Sequence, residues 1–125
     1  MAKASYVWSG SEWVAIASAF PQAHQRGVVT TAATSYTLGV NDAGKVIVFS
    51  SSSPVTVTVP NDSTYTFAIG ETIVLLQKGT GTISVVSEGI VNVYNRAGSA
   101  TFGQYSQIEL LKIDDNVWVL SGDLD

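Results

Sequence analysis

The chain has 125 residues, enough for one domain with a single hydrophobic core but too few for two. Charged residues make up only 13% of it, about half of their usual share of roughly 25%, so its polar surface is mostly uncharged. The net charge is −4 and the Lys and Arg residues form no run, which argues against direct binding to nucleic acid. The sequence has no cysteine and no apolar run of the roughly 20 residues that a membrane span requires, and we expect no secretion signal.

Residues 1–20 are predicted to form an N-terminal arm rich in aromatic side chains. The segment 5–16 has the pattern of two short strands that meet at Ser9-Gly10-Ser11. The large apolar side chains of the arm could cover the chain's own core, anchor the arm in a neighbouring subunit, or stack on sugar rings. The candidate partner-interface residues are Tyr6, Trp8, Trp13, Ile16 and Phe20.

Residues 21–35 are predicted to be a connector between the arm and the main domain. They are small or polar, include Pro21 and Gly27, and show neither helical nor strand periodicity. The single histidine of the chain, His24, lies here, with no carboxylate or nucleophile near it in sequence. Because a general base needs a positioned partner, we expect a solvated or interface histidine rather than a catalytic one.

Residues 36–125 are predicted to form the main domain, because strand-sized runs recur there at about ten-residue spacing with turn residues between them. No segment between these runs has a convincing helical pattern. The sequence therefore predicts an all-β protein, a single antiparallel β-sandwich or barrel-like domain. The predicted strands are 36–40, 45–49, 55–60, 71–77, 82–86, 90–94, 105–113 and 117–120.

Two of the predicted strands and two of the turns have a definite pattern. The run 55–60, VTVTVP, alternates valine with threonine, which predicts one valine face and one threonine face. The run 71–77, ETIVLLQ, is apolar enough to be buried on both faces and is predicted to be the central strand of a sheet. Glycines at Lys78-Gly79-Thr80-Gly81 predict a hairpin turn, and Asp114-Asp115-Asn116 predicts another between the last two strands.

None of the polar clusters has the spacing that catalysis or ligand binding requires. Ser50 to Ser53 lacks the Gly-x-Ser-x-Gly turn of a nucleophile elbow, and Asp114 to Asn116 lacks the spacing of a calcium loop. Glycosidase chemistry needs two acidic residues that face one cleft, whereas the acidic residues here fall mostly in turns or at the chain end. We therefore predict a protein that is not an enzyme, with no catalytic residue, metal or cofactor.

The uncharged surface indicates a protein that works in an assembly. A threonine face on the strand 55–60 supplies solubility without charge repulsion, so it tolerates burial against another sheet or another copy of the chain. Few charges would have to be desolvated when such a surface forms extensive contacts. A monomeric enzyme would usually carry more charge.

Several motifs of the segment 36–123 recur in the order and spacing of a known domain. They are Tyr36-Thr37-Leu38, Asp42-Ala43-Gly44-Lys45, Val55 to Pro60, Ile69-Gly70-Glu71, Gln77 to Gly81, Gly89 to Val93, Gly103 to Ser106, and Trp118 to Leu124. On these motifs the segment resembles a β-rich domain that is common in the virion proteins of tailed bacteriophages, and the arm is similar to the Tyr-Val-Trp-x-Gly-x-x-Trp-Val pieces of phage fibre and structural proteins. The resemblance implies a structural protein without enzymatic activity, a homotrimer located on the capsid surface or tail of the virion and assembled in the host cytoplasm.

Two roles within that family are open. Because the sequence begins at Met1 and leaves no room for a fibre shaft, we expect a capsid decoration or cement protein that binds the major capsid protein or other virion proteins through its arm. The alternative is a tail-fibre or receptor-binding tip that recognises host surface glycans. Neither role predicts a direct nucleic-acid or membrane partner.

Overall fold

A computed structural model describes residues 26–125, together with the backbone of residues 6–8 and 13–15. The described elements are strands, apart from one 3₁₀ turn at Val40–Asp42. The strands are β1 (Tyr6–Trp8), β2 (Trp13–Ala15), β3 (Val28–Thr31), β4 (Ser35–Thr37), β5 (Val46–Phe49), β6 (Val55–Val59), β7 (Thr72–Gln77), β8 (Ile83–Ser87), β9 (Asn92–Asn95), β10 (Gln107–Asp114) and β11 (Val117–Gly122).

The main body is built from stacked coils of parallel strands. Strands β3, β5 and β7 pair in parallel in one sheet, and β4, β6 and β8 pair in parallel in a second sheet. Since consecutive strands lie in opposite sheets, each pair of strands makes one turn of a coil. The prediction of an all-β protein is confirmed, but the prediction of an antiparallel sandwich or barrel is wrong, because the architecture is a β-solenoid.

Close stacking of the coil corners explains the glycines that the sequence assigned to a hairpin. The segment 78–81 joins β7 to β8 in the other sheet, so the predicted hairpin there is wrong. A Cβ atom on Gly79 would lie 2.1 Å from the carbonyl oxygen of Ser51, and one on Gly81 would lie 1.9 Å from that of Ser53. These glycines are needed because the corner of one coil lies directly against the corner of the preceding coil.

After β8 the chain changes direction and closes the stack with antiparallel pairing. Ala100 forms an antiparallel bridge with Ser84 of β8, β10 pairs antiparallel with β7, and β11 pairs antiparallel with β10. β9 joins β11 in parallel, and the six-stranded sheet has the order β3-β5-β7-β10-β11-β9. The predicted pairing of the last two strands is confirmed, as is the interior position of β7 between β5 and β10.

The hydrophobic core lies between the two sheets. Val55, Val57 and Val59 of β6 are buried there, whereas Thr56 is exposed and Thr58 is half-buried, so the predicted valine and threonine faces are confirmed. On the opposite side the core is formed by side chains of the six-stranded sheet. The largest of them are Trp118, Phe49, Ile47, Ile73, Leu75, Ile108, Leu110 and Leu120.

A buried ion pair anchors the long segment between β6 and β7 to the six-stranded sheet. The Lys112 side chain is 1% exposed, and its Nζ donates hydrogen bonds to Asp62 Oδ1 at 2.8 Å and to the Phe67 carbonyl at 2.6 Å. The backbone N–H of Asn116 donates to the other oxygen of Asp62 at 3.1 Å. The carboxylate of Asp62 therefore joins the loop, β10 and the turn that follows it.

At the N-terminal side the structure differs from the predicted connector. β3 lies within residues 21–35 and pairs with β5, so the sheet begins earlier than the predicted boundary at residue 36. In the arm, β1 and β2 pair antiparallel with Trp8 opposite Trp13, which confirms the two short strands. Ile16 and Phe20 lie outside the described residues.

Candidate interaction surface

The side of the six-stranded sheet that faces away from the core, called the outer face, is largely apolar. Strand side chains alternate between two sides, so the residues between the core positions define this face. Glu109 and Asp114 are the charged residues among these described positions, and the rest are aliphatic, aromatic or uncharged polar. The outer-face residues are Val28, Thr30, Val46, Val48, Thr72, Val74, Leu76, Asn92, Tyr94, Gln107, Glu109, Leu111, Asp114, Val117, Val119 and Ser121.

The near half of the outer face, over β3, β5 and β7, is well shielded at β5 and β7, whereas Val28 at the β3 edge is 65% exposed. Val48 is 8% exposed and Val74 is 5% exposed, although both belong to the outer face. The Arg26 side chain extends past β5, and its Nη2 donates to Thr72 Oγ1 of β7 at 2.8 Å. Arg26 thus lies on the outer side of the sheet, where the chain enters β3.

The far half of the outer face, over β10, β11 and β9, leaves its apolar side chains accessible. The register places Leu111, Val119 and Tyr94 directly beside one another in a row across the three strands. Leu111 is 36% exposed and Tyr94 is 58% exposed, while Val119 between them is half-buried. Ile113, at the bulge in β10, is 47% exposed.

An accessible apolar row of this kind is suited to a macromolecular contact. Apolar patches bordered by polar residues mark interaction sites on soluble proteins, and aromatic side chains often supply much of the binding energy. Burying the row requires little desolvation of charge, because the row itself is uncharged and Glu109 and Asp114 are the ionised residues among the described outer-face strand positions. The far half is therefore the strongest candidate contact surface of the described residues.

An open groove continues from the far half toward the C-terminus. Its volume is about 630 Å³, and its walls include Tyr94, Asn95, Arg96, Val119 and Leu124. The Asn95 side chain accepts a hydrogen bond from the Gly98 backbone at 2.9 Å, which holds the loop that forms one wall. The guanidinium of Arg96 forms no ion pair with any described residue. An aromatic ring, an apolar floor and a cation at the rim could accommodate a sugar or another amphipathic ligand.

The pKa of Tyr36 is raised, and the surroundings of this group indicate a structural role. Partial burial, together with a hydrogen bond to the nearby Asp42 carboxylate, raises the pKa of Tyr36 to about 12. The Tyr36 hydroxyl donates to Asp42 Oδ1 at 2.7 Å, and Asp42 Oδ2 accepts from the Gly39 N–H at 2.8 Å. The three residues fix the 3₁₀ turn between the first two coils. Among the residues that the structure describes, no three acidic or histidine side chains come together as a metal site.

The residues predicted for a partner interface and the outer face belong to different parts of the chain. Tyr6, Trp8 and Trp13 lie in the β1–β2 hairpin, and Ile16 and Phe20 lie outside the described residues. Sequence reasoning missed the outer face, since assigning residues to it requires the register of six strands. The adjacent apolar residues Leu110 and Leu111 were the available signal, because neighbouring strand positions point to opposite faces.

Comparison with known proteins adds no assignment. No family model matches the chain, and no curated protein matches it. In the described part of the chain, no helix has the length and apolar character to cross a membrane.

Proposed function

We propose that the protein is a non-enzymatic structural protein of a tailed-bacteriophage virion, most specifically a capsid decoration or cement protein that oligomerises on the particle. The observation that carries the assembly role is the outer face of the six-stranded sheet, which is apolar over both halves and exposes the row Leu111, Val119 and Tyr94. The phage assignment is carried by the resemblance of the segment 36–123 to virion domains.

The accessible row supports oligomerisation through its expected contribution to binding. Burial of apolar surface contributes about 25 cal/mol for each Å² removed from water, and shielding three adjacent large side chains is a substantial part of what a stable contact needs. A sheet with two apolar faces is usually covered on both. Among residues 26–125, the three-stranded sheet covers the core side of the six-stranded sheet, so the far half of the outer face is left for a partner.

The parallel coils support a structural role. Their strands are joined by backbone hydrogen bonds from coil to coil, and the glycine corners permit close stacking. Such a body is a rigid platform that presents a surface. Under this proposal the partners are other copies of the chain, as a homotrimer, and the major capsid protein or other virion proteins, with the aromatic arm as a second contact element. The location is the virion surface after assembly in the host cytoplasm.

Electron microscopy of intact virions tests this proposal. Particles labelled with antibody fragments raised against the protein should show a regular array on the capsid shell. Labelling confined to the tail would overturn the decoration role in favour of a tail-fibre or receptor-binding tip. If the antibody fragments recognise the free protein but label no virions, both the decoration role and the tail role are overturned. Antibody fragments preincubated with excess purified protein, which should no longer label the particles, provide the control.

The groove next to the far half favours one alternative, a tail-fibre or receptor-binding tip that recognises host surface glycans. Tyr94 offers a ring 58% exposed for stacking, and Arg96 at the rim favours acidic sugars. A glycan array should then give hits that Tyr94→Ala abolishes. Tyr105→Ala is the matched control, because Tyr105 is similarly exposed, at 68%, but does not line the groove. An array without hits would exclude this alternative for the glycans tested.

A further inference from the structure

We propose that the far half of the outer face binds the β1–β2 hairpin of a neighbouring copy of the chain. This inference rests on the proposed function, since it assumes that the protein oligomerises, and it identifies which segment of one copy meets which surface of the next. Four observations lead to it: the composition of the hairpin, its reach, the difference in exposure between the two halves, and their positions at opposite edges of the sheet.

The hairpin requires a surface to pack against. Its paired residues, YVW in β1 and WVA in β2, are all apolar. An isolated two-stranded hairpin is at best marginally stable in water, because it has no second layer in which to bury such residues. The pairing of β1 with β2 therefore predicts that another apolar surface covers at least one side of the hairpin.

The chain leaves the sheet at a point from which the hairpin can reach an outer face. Arg26 lies on the outer side of β3, as its bond to Thr72 establishes. Ten residues, 16–25, separate it from β2, and a fully extended segment of that length spans about 35 Å. Six strands at their usual spacing are only about 24 Å across. The segment is thus long enough to bring the hairpin onto the sheet of an adjacent copy.

The far half offers the only row of adjacent accessible apolar side chains on the described outer face. In the near half, Val48 and Val74 are buried and Arg26 lies across that region, while Val28, 65% exposed, stands at the β3 edge. In contrast, Leu111 and Tyr94 of the far half are 36% and 58% exposed. A docked hairpin would cover the row Leu111, Val119 and Tyr94, apolar against apolar, without desolvating an opposing pair of charges.

The positions of the two elements favour contact between copies arranged head to tail. The hairpin departs from β3 at one edge of the sheet, and the far half reaches β9 at the opposite edge. An interface that joins two different patches is heterologous. When the rotation that relates successive copies closes, such an interface produces a ring rather than a two-fold dimer. Each copy would donate a hairpin at one edge and accept one at the other, as the proposed trimer requires.

Sedimentation equilibrium on full-length variants tests the inference. A donor variant, Trp8→Glu with Trp13→Glu, removes the apolar hairpin residues, and an acceptor variant, Leu111→Lys, places a charge in the row. The unmodified protein should form an oligomer, whereas each variant alone should have the mass of one 13.2 kDa chain. Ser52→Lys is the matched control, because Ser52 is exposed in the loop between β5 and β6, outside the outer face, and should leave the oligomer intact. Circular dichroism confirms that each variant is folded.

Mixing the two variants gives the decisive result. The acceptor variant still has a functional hairpin and the donor variant still has a functional far half, so an equimolar mixture should form a heterodimer that cannot grow further. Two monomeric variants that do not combine would overturn the inference. An unmodified oligomer that either variant preserves would also overturn it, while leaving the proposed assembly role intact. An unmodified protein that is monomeric at high concentration would overturn both.

Discussion

The coil stack, residues 28–87, and the cap, residues 99–125 with β9, share one sheet but follow opposite rules. In the stack every pairing is parallel, successive coils repeat the same register, and glycine corners lie against one another. In the cap the chain reverses to antiparallel pairing at β10 and β11, β9 adds to β11 in parallel, and a buried ion pair is present. A parallel coil can always accept another coil, whereas the reversal at Ala100 and β10 ends the stack. The cap therefore determines where the solenoid stops.

The opposite end of the stack has no equivalent closure among the described residues. The carbonyls of Gly27 and Thr31 accept hydrogen bonds from the N–H groups of Val46 and Ser50, so by alternation the backbone groups of Val28 and Thr30 face away from the sheet. Edge strands usually carry charges or proline that prevent further pairing, and β3 has neither. Additional strand pairing is thus expected at the β3 edge, next to the arm, whereas the cap makes its proposed contact through the outer face of its strands.

The largest effect is expected from a substitution that removes the ion pair of the cap. Asp62→Ala leaves the Lys112 ammonium, 1% exposed, without its carboxylate partner, which should lower the free energy of unfolding by about 3–5 kcal/mol. Urea denaturation followed by tryptophan fluorescence measures the change. Asp115→Ala is the control, since the Asp115 side chain is exposed in the adjoining turn. Equal stabilities of the two variants would show that the ion pair does not hold the cap.

The second prediction concerns the coil stack. Gly81→Ala places a methyl group 1.9 Å from the Ser53 carbonyl oxygen, so the two corners must separate, at an expected loss of about 2–3 kcal/mol. Gly103→Ala is the matched control, because no atom lies within 4 Å of its added Cβ. Hydrogen exchange at individual amides then sharpens the comparison. If stack and cap unfold together, Gly81→Ala accelerates exchange in both, and if they are separate units, exchange in β10 and β11 is unchanged.

The strand positions could be predicted from sequence, but their directions could not. Alternation in 55–60 and the continuous apolar run in 71–77 depend only on which faces are buried, and the structure confirms both. A glycine-rich turn has the same composition whether it reverses the chain in one sheet or passes to another, so 78–81 gave no sign of the solenoid. The four residues of β3 were too few to show a period. The row Leu111, Val119 and Tyr94 was inaccessible to sequence, because it comes from three strands whose register depends on the whole fold.

The smallest predicted effect tests whether the first coils depend on a local hydrogen bond, as the cap depends on its ion pair. The pKa of Tyr36 is raised from 10.0 to about 12 by partial burial and by its bond to Asp42. The unfolded chain therefore ionises first, so this group leaves stability unchanged below about pH 10 and lowers it as the pH rises from about 10 to 12. Tyr36→Phe should reduce stability by about 1 kcal/mol at neutral pH, through loss of the bond, and weaken the alkaline decline. Denaturation at neutral and alkaline pH, with Tyr105→Phe as an exposed control, measures both effects. If the stability of Tyr36→Phe declines at alkaline pH as steeply as that of the unmodified protein, other ionising groups cause the decline. The first coils would then be held by stacking alone.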